Sequence, residues 1–241
     1  VIAEGLADAN AQGATRVLFL GMRRRLAAAL SADPDDLACA LALAHGAASA
    51  SDDTRASEDV GLVISSLGRP QAGPALVTAA VSMAATAARS DEEGVRDAAT
   101  AQLDALRGHV ERLRERLPWH PDLLLDLARL AIQAARGRQD QDRQAQLDAA
   151  RGHLSDHEER FGPSAGARSV RAEILELRAR SGGASSDIRS DTVALFEAQA
   201  KDGSLRPKDA DRLLSALERA KALNGKTAER LRKLMAPLTK G

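Results

Sequence analysis

The sequence is poor in aromatic residues, and this scarcity narrows the folds that fit it. It has three Phe, one Trp and no Tyr, so Ala and Leu supply most of the apolar side chains. Strands favour β-branched and aromatic residues, whereas Ala, Leu, Arg and Glu are strong helix formers. The composition therefore predicts an all-α fold with closely packed helices.

The chain also lacks net charge, because 34 acidic residues balance 34 basic ones. All lysines lie between Lys201 and Lys240, and residues 187–241 carry 12 basic and 8 acidic side chains, a net charge of +4. Single-stranded nucleic acids are bound with stacking aromatics, which are scarce here. We therefore do not expect a nucleic-acid partner. Docking of the Lys-containing tail on nucleic acid or an acidic surface is the weaker alternative.

Cysteine and long apolar runs are equally scarce. Cys39 is the only cysteine and lies in the apolar run Leu37–Leu41, so we expect a buried, unreactive thiol. A single cysteine forms no disulfide within the chain, which indicates a reducing compartment or simply no redox need, and we expect a cytoplasmic location. The uncharged stretch from Gln71 to Ala88 is too polar for a membrane span, and we expect a buried helix there.

Motifs that carry chemistry are absent from the sequence. It contains no phosphate-binding or dinucleotide-binding glycine pattern, and no Ser-His-Asp or Cys-His arrangement can be argued. No carboxylate is expected to stand alone in an apolar run that would shift its pKa. His153 and His157 could share a helix face, but packed side chains are expected there. We predict a protein that is not an enzyme, with no catalytic residue, metal, cofactor or small-molecule substrate.

Arg23, Arg24 and Arg25 form the densest basic cluster. Such clusters can contact phosphate or an acidic partner. Long basic side chains more often extend over apolar neighbours while their charged heads stay in water. We therefore expect a solvated face.

An internal repeat is the most informative feature. Residues 101–110 read AQLDALRGHV and residues 145–154 read AQLDAARGHL, which are identical at eight of ten positions with an offset of 44. The helices before them repeat as well, because runs opened by Pro74 and Pro121 match at an offset of 47. A fainter copy begins at Pro34. Repeats of this period predict stacked helix pairs.

The spacing of apolar residues places the predicted helices. Proline at the first helical position is favoured, because its missing N–H needs no partner there. Steps of three and four residues mark one apolar stripe in each long repeat helix. The predicted helices span about 2–12, 14–31, 34–48, 53–67, 73–89, 91–117, 121–136, 140–161 and 164–181. The stripe residues are Leu103, Leu106, Val110, Leu113 and Leu117 in one copy and Leu147, Ala150, Leu154, His157 and Phe161 in the next.

Glycine recurs at Gly108 and Gly152, which occupy equivalent positions inside the two repeat helices. Mid-helix glycine costs about 1 kcal/mol relative to alanine. Its recurrence predicts two helices that cross closely at that point.

The segment around residues 181–187 is rich in Ser and Gly and predicts a break. We expect a helical-repeat array at 1–181, a linker at 182–187 and a C-terminal helical unit at 188–241. In that unit, predicted helices at about 189–201, 207–223 and 226–238 include a small hairpin. Its facing residues are Leu213, Leu214, Leu217 and Leu223 on one arm and Leu231, Leu234 and Met235 on the other.

Residues 25–34, RLAAALSADP, resemble the end of a tetratricopeptide repeat (TPR), where an aliphatic helix is followed by Asp-Pro. The resemblance covers residues 14–181 as a pattern of helix pairs. The repeats span 40–47 residues rather than the family's 34, and the family's Trp…Leu-Gly…Tyr signature is absent, so a HEAT-like repeat fits the period equally well. The resemblance implies a right-handed α-solenoid with a concave surface that holds a peptide or partner protein.

The repeat register predicts a polar column on the first helices of the pairs. It places Ser82 over Arg129 and Arg129 over Glu173, with Gln133 one turn further along. We expect these four residues to contact a protein partner, although a plain solvent-facing stripe is equally compatible. The function that follows is an adaptor, scaffold or regulatory sensor. The alternative is a non-catalytic helical segment of a larger enzyme or effector whose active domain precedes Val1, since the chain does not begin with Met.

The composition, rich in Ala and Arg with few Lys, further suggests a bacterial protein from a GC-rich genome.

Overall fold

The predicted all-α class is confirmed. A computed structural model describes residues 14–33, 35–48, 56–69, 71–88, 93–136, 138, 140–180, 185–201, 203, 207–219, 221, 225–226, 229, 231 and 233. Most of these residues lie in helices, and no strand occurs among them. The helix predicted at 2–12, and Pro34, lie outside the described residues.

The observed helices agree closely with the predicted ones. Pro74 and Pro121 occupy the first position of their helices, as the repeat predicts. Gly162, with φ of +77°, ends the second repeat helix and donates its N–H to the carbonyl oxygen of Glu158. The helices are α1 (Ala14–Ala32), α2 (Leu37–Ala48), α3 (Ala56–Ser66), α4 (Pro74–Ala87), α5 (Glu93–Arg116), α6 (Pro121–Arg136), α7 (Asp140–Phe161), α8 (Ala165–Arg180), α9 (Ser185–Lys201) and α10 (Pro207–Arg219).

The chain divides into two compact units, Val1–Gly137 with α1 to α6 and Arg138–Gly241 with α7 to α10. This division differs from the predicted array at 1–181, linker at 182–187 and tail at 188–241. Ser185–Asp187 belong to α9, while residues 182–184 lie outside the described part of the chain.

The physical reason for the different division is a shared core in the second unit. Ala172 and Leu175 of α8 pack in one cluster with Phe196 of α9 and Leu213 of α10. The tail helices therefore complete the core that α8 begins. They are not a separate unit.

The core of the first unit is centred on α4. Nine of its fourteen residues are buried, and it packs against α2, α3, α5 and α6. The expectation of a buried helix in the stretch from Gln71 to Ala88 is confirmed. On α5, the predicted stripe from Leu103 to Leu113 is buried in the same core. None of the described helices combines the length and the apolar character needed to cross a bilayer.

In the second unit the repeated stripe again faces inward. Leu147, Ala150, Leu154 and His157 are buried, whereas Phe161 at the end of α7 is more than one-third exposed. The predicted tail hairpin is supported where it is described, because Leu213 and Leu217 pack in one cluster with Leu231. The other predicted members, Leu223, Leu234 and Met235, lie outside the described residues.

The expected close helix crossing at the two repeated glycines is wrong. A Cβ added at Gly108 would meet only the flexible end of Arg112, at 3.7 Å. A Cβ at Gly152 would meet nothing within 4 Å. Neither position requires glycine for packing.

Candidate functional site

The predicted polar column falls on α4 and α6, which pack against each other in the first unit. Ser82 is half-buried on α4, and its carbonyl oxygen accepts a hydrogen bond from Thr86 Oγ1 at 3.0 Å. Arg129 and Gln133 lie on α6. Glu173, the fourth predicted member, is half-buried on α8 of the second unit. The structure thus brings three of the four residues together on adjacent helices.

The charge at the centre of this column is Asp126, which the sequence analysis missed. Its side chain is fully buried on α6. Its Oδ2 accepts a hydrogen bond from Thr78 Oγ1 at 2.6 Å, and its Oδ1 accepts one from Arg129 Nη1 at 2.9 Å. Thr78, Asp126 and Arg129 therefore form a polar seam that joins α4 to α6.

Burial raises the pKa of the Asp126 carboxyl above its ordinary value. Arg129 and the hydrogen bond from Thr78 partly offset this rise, while Asp122, one turn earlier, adds to it. The expectation that no carboxylate would stand in an apolar run was wrong. Asp126 is the only charged residue in the run from Leu123 to Ala128, and this isolation was the available signal.

The seam changes what the predicted column can do. Arg129 is 27% exposed, but its guanidinium is bonded to Asp126 within the unit. Gln133 is 3% exposed, and neither polar atom of its amide has a hydrogen-bond partner among the described residues. Arg129 therefore has a structural role in the seam, and Gln133 offers almost no surface to a partner in this conformation. Partner contacts by Ser82 and Glu173 stay a prediction.

A groove of about 440 Å³ lies within the second unit, between α7, α8 and α9. Its apolar floor is formed by Leu154, Ile174 and Leu175, which are nearly buried. Its walls carry equal numbers of acidic and basic side chains. The carboxylates are Asp148, Glu158 and Asp191, and the guanidiniums are those of Arg151, Arg171 and Arg178.

Helical spacing explains why these side chains meet. On α7, Asp148, Arg151, Ser155 and Glu158 are separated by steps of three and four residues, so they share one helix face. On α8, the range from Arg171 to Arg178 repeats these steps and supplies both floor and wall. Gly152 lines the groove without a side chain.

In two of the three ion pairs of the groove, the nitrogen and oxygen atoms lie beyond hydrogen-bond distance. Arg151 Nη1 lies 3.8 Å from Asp148 Oδ1, and Arg178 Nη1 lies 3.7 Å from Asp191 Oδ2. Both distances are too long for hydrogen bonds. Arg171 Nη2 does donate a hydrogen bond to Glu158 Oε2. The groove is therefore charge-balanced, yet it keeps guanidinium donors that are not committed to their carboxylates.

Sequence reasoning missed the groove because its charges look like ordinary solvated faces. Nothing in the sequence shows that α9 brings Asp191 to Arg178 of α8. That juxtaposition depends on how α9 packs against α8.

His157, which the sequence analysis considered as a metal ligand, has a structural role. His157 is buried and packs against Phe161. The distance from its Nε2 to Ser164 Oγ is 3.3 Å. Ser164 in turn accepts a hydrogen bond from the N–H of Ala167 at the start of α8. Within the described ranges, no three His, Cys, Asp or Glu side chains lie close enough together to hold a metal ion.

The basic cluster at Arg23 is only partly solvated, which corrects the expectation. Arg24 and Arg25 are exposed, but Arg23 is 4% exposed, and its Nε donates to Asp59 Oδ2 at 2.6 Å. Cys39 is buried as predicted, and burial together with Asp36 raises the pKa of its thiol. Its Sγ donates to the carbonyl oxygen of Leu26 at 3.2 Å.

No protein-family model, no curated protein and no solved structure matches this chain.

Proposed function

We propose that this chain is a helical protein-interaction module that holds a segment of a partner protein in the groove of the second unit. Its role is that of an adaptor, scaffold or regulatory sensor, and the proposed module is non-catalytic. The stacking of its helix pairs as a TPR-like, right-handed α-solenoid belongs to the same proposal. The residues that bind the segment are those of the groove, in place of the column around Arg129.

The loose ion pairs carry this proposal. A buried, fully hydrogen-bonded ion pair resists exchange, because breaking it leaves an uncompensated charge away from water. The pairs Arg151–Asp148 and Arg178–Asp191 lie beyond hydrogen-bond distance, and their carboxylates are more than half exposed. A partner that brings its own carboxylate can take up these donors at little cost.

The lining of the groove indicates the chemistry of the partner segment. Three acidic and three basic groups select a segment that carries both signs of charge. The floor of Leu154, Ile174 and Leu175 gives an apolar side chain a place to pack. Arginine is enriched in protein interfaces, because its planar guanidinium binds carboxylates through paired hydrogen bonds. A mixed-charge segment with one apolar anchor is therefore the expected ligand.

A peptide selection on the intact chain tests the proposal. Short random peptides are displayed and selected against the full-length protein, and the enriched sequences are synthesised for fluorescence anisotropy. We expect enrichment of segments with acidic, basic and apolar residues. The variant Arg151→Ala removes one of the two guanidiniums that are not hydrogen-bonded to their carboxylates. It should raise Kd about tenfold, since truncation of an interface arginine commonly costs more than 1 kcal/mol.

Arg180→Ala is the matched control. Arg180 is similarly exposed (42% against 54% for Arg151) and also pairs with a carboxylate of its own helix, Glu176, but it does not line the groove. Its replacement should change Kd less than about twofold, the size expected for a surface pair. Equal losses in both variants, or peptides that bind without regard to either, would refute the groove as the binding site.

A further inference from the structure

The first unit contains a concave surface of a different character. A cleft of about 330 Å³ lies between the turn after α3, the start of α4 and the last turns of α5. Its polar lining consists of Arg69, His109, Arg112 and Arg116, which we call the basic cleft. Among the described residues, no carboxylate lines it. This imbalance contrasts with the groove of the second unit, where each guanidinium has an acidic neighbour.

The α5 residues of the basic cleft share one helix face. His109, Arg112 and Arg116 follow one another at steps of three and four, which stacks them along the helix. Arg116 lies in the last turn of α5, where the helix dipole favours a cation. The three side chains line the cleft from one face of α5.

Two guanidiniums of the cleft have no carboxylate partner among the residues that the structure describes. Arg69 Nε lies 2.5 Å from Asp35 Oδ1, so its charge is partly neutralised. Arg112 Nη2 instead lies 3.0 Å from His109 Nδ1, and Arg116 pairs with no described carboxylate. The positive charge available to a ligand is therefore that of Arg112 and Arg116.

The contact with Arg112 also fixes the protonation state of His109. A guanidinium only donates hydrogen bonds, so His109 Nδ1 must accept, and the ring carries its hydrogen on Nε2. Desolvation and the Arg112 charge lower the pKa of His109, which agrees with a neutral ring. His109 thus adds one neutral donor to the lining.

The rest of the cleft is apolar. Leu67 and Ala72 come from the turn after α3, Val77 from α4 and Leu113 from α5, and all four are buried members of the first unit's core. A ligand that fits must present an anionic head to the arginines and an apolar body to this wall. The volume is at the lower end of that typical for small-molecule sites.

We propose that the basic cleft binds a small organic phosphate monoester, with the phosphate on Arg112 and Arg116 and the organic group against Leu113. A phosphate monoester carries a charge of about −1.5 to −2 near neutral pH, which matches two uncompensated guanidiniums. A carboxylate would neutralise only one of them. Arginine also presents paired donors whose geometry fits phosphate oxygens.

Isothermal titration of the full-length protein with phenyl phosphate tests the assignment, with benzoate and inorganic phosphate as comparison ligands. We expect phenyl phosphate to bind more tightly than either, because only it carries both the dianionic head and the apolar body. The double variant Arg112→Gln/Arg116→Gln should weaken phenyl phosphate binding about tenfold or more, as expected for loss of charge-assisted hydrogen bonds.

Arg114→Gln is the control, because Arg114 lies in the same last turn of α5 but does not line the cleft. It should leave the affinity within about twofold, because Arg114 is half-buried outside the cleft lining. Absence of binding, equal losses in the control and the double variant, or benzoate affinity equal to that of phenyl phosphate would overturn the proposal. Since the groove lies in the other unit, failure here leaves the peptide-binding result unaffected.

Discussion

Buried charge in the first unit and exposed charge in the second illustrate two uses of the same residue types. In the first unit, Arg23 and Asp59 pair at 2.6 Å with side chains at most 6% exposed, and they join α1 to α3. In the second unit, the groove pairs such as Arg178–Asp191 leave at least one partner in water. The buried pair joins two helices, whereas the groove pairs stay in contact with water.

The difference follows from desolvation. A charge removed from water must find its whole compensation inside the protein, so losing one partner is expensive. A charge at the surface recovers hydration when its partner is lost, and the loss is small. Substitutions in the two units should therefore differ in cost, although the residues replaced are chemically alike.

The largest effect is expected at Arg23. Arg23→Ala leaves Asp59 buried without its guanidinium and should lower the free energy of unfolding by about 3–5 kcal/mol. Arg24→Ala, its exposed neighbour on α1, should change it by less than about 0.5 kcal/mol. Urea denaturation followed by circular dichroism measures both, and equal losses would show that Arg23 is not part of a buried pair.

A smaller loss is expected in the polar seam. Thr78→Val keeps the shape of the side chain but removes the hydrogen bond to Asp126, which should cost about 1.5–3 kcal/mol because the acceptor is charged and buried. Thr86→Val is the matched substitution on α4. Thr86 Oγ1 bonds a carbonyl oxygen of its own helix, so we expect a cost of about 1 kcal/mol or less. A larger loss of stability in Thr86→Val than in Thr78→Val would contradict the role of Thr78 in the polar seam.

The pKa of Asp126 makes stability depend on pH. Because the pKa in the folded protein is raised, this carboxyl contributes most to stability below its unfolded value of about 4, and the contribution falls as pH rises through the folded pKa. Asp126→Asn has no such titration. The stability of the original protein relative to this variant should therefore increase as pH is lowered from neutral towards about 4. A relative stability that decreases on acidification would show that the folded pKa is depressed.

Alanine substitutions at two glycines distinguish a packing requirement for glycine from a backbone requirement. Gly152→Ala should stabilise the second unit by about 0.5–1 kcal/mol, since alanine favours the helix and its Cβ meets nothing within 4 Å. Gly162→Ala should destabilise it, because Gly162 has a φ of +77°. Thermal melts of both variants compare them directly. If Gly152→Ala instead destabilised the protein, the result would support the close helix crossing predicted from the repeat.

The smallest effect on stability is expected in the groove. Arg171→Ala removes the exposed pair with Glu158 and should cost between about 0 and 1 kcal/mol. If the free energy of unfolding fell as much as for Arg23→Ala, the groove pairs would be structural. The difference in cost between buried and exposed pairs would then be contradicted.

Much of the fold was predictable from local signals. The repeated AQLDA segments predicted the helices α5 and α7 and their buried apolar stripes. Pro74 and Pro121 predicted the starts of α4 and α6. These signals are local, because a helix needs only periodic apolar residues and a suitable first residue. The compact units divide at a different place from the predicted boundary, because α8 shares its core with α9 and α10, a contact that sequence spacing does not reveal.

The candidate site was harder to predict because it depends on which helix faces meet. Sequence register aligned Ser82 with Arg129, and the helices that carry them pack against each other. The register did not show that Asp126, one turn earlier, would engage Arg129. The groove charges on α7 have the same spacing as any solvated face. Their partners on α8 and α9 are identified only by the way the three helices pack.

The central claim is that the second unit's groove receives a partner segment. Methyl NMR spectra of the full-length protein, recorded while a selected peptide is added, test it most directly. We predict that the largest shift changes fall on Leu154, Ile174 and Leu175, which form the groove floor. Changes concentrated instead on core methyls of the first unit, such as those of Leu103 and Val110, would contradict it.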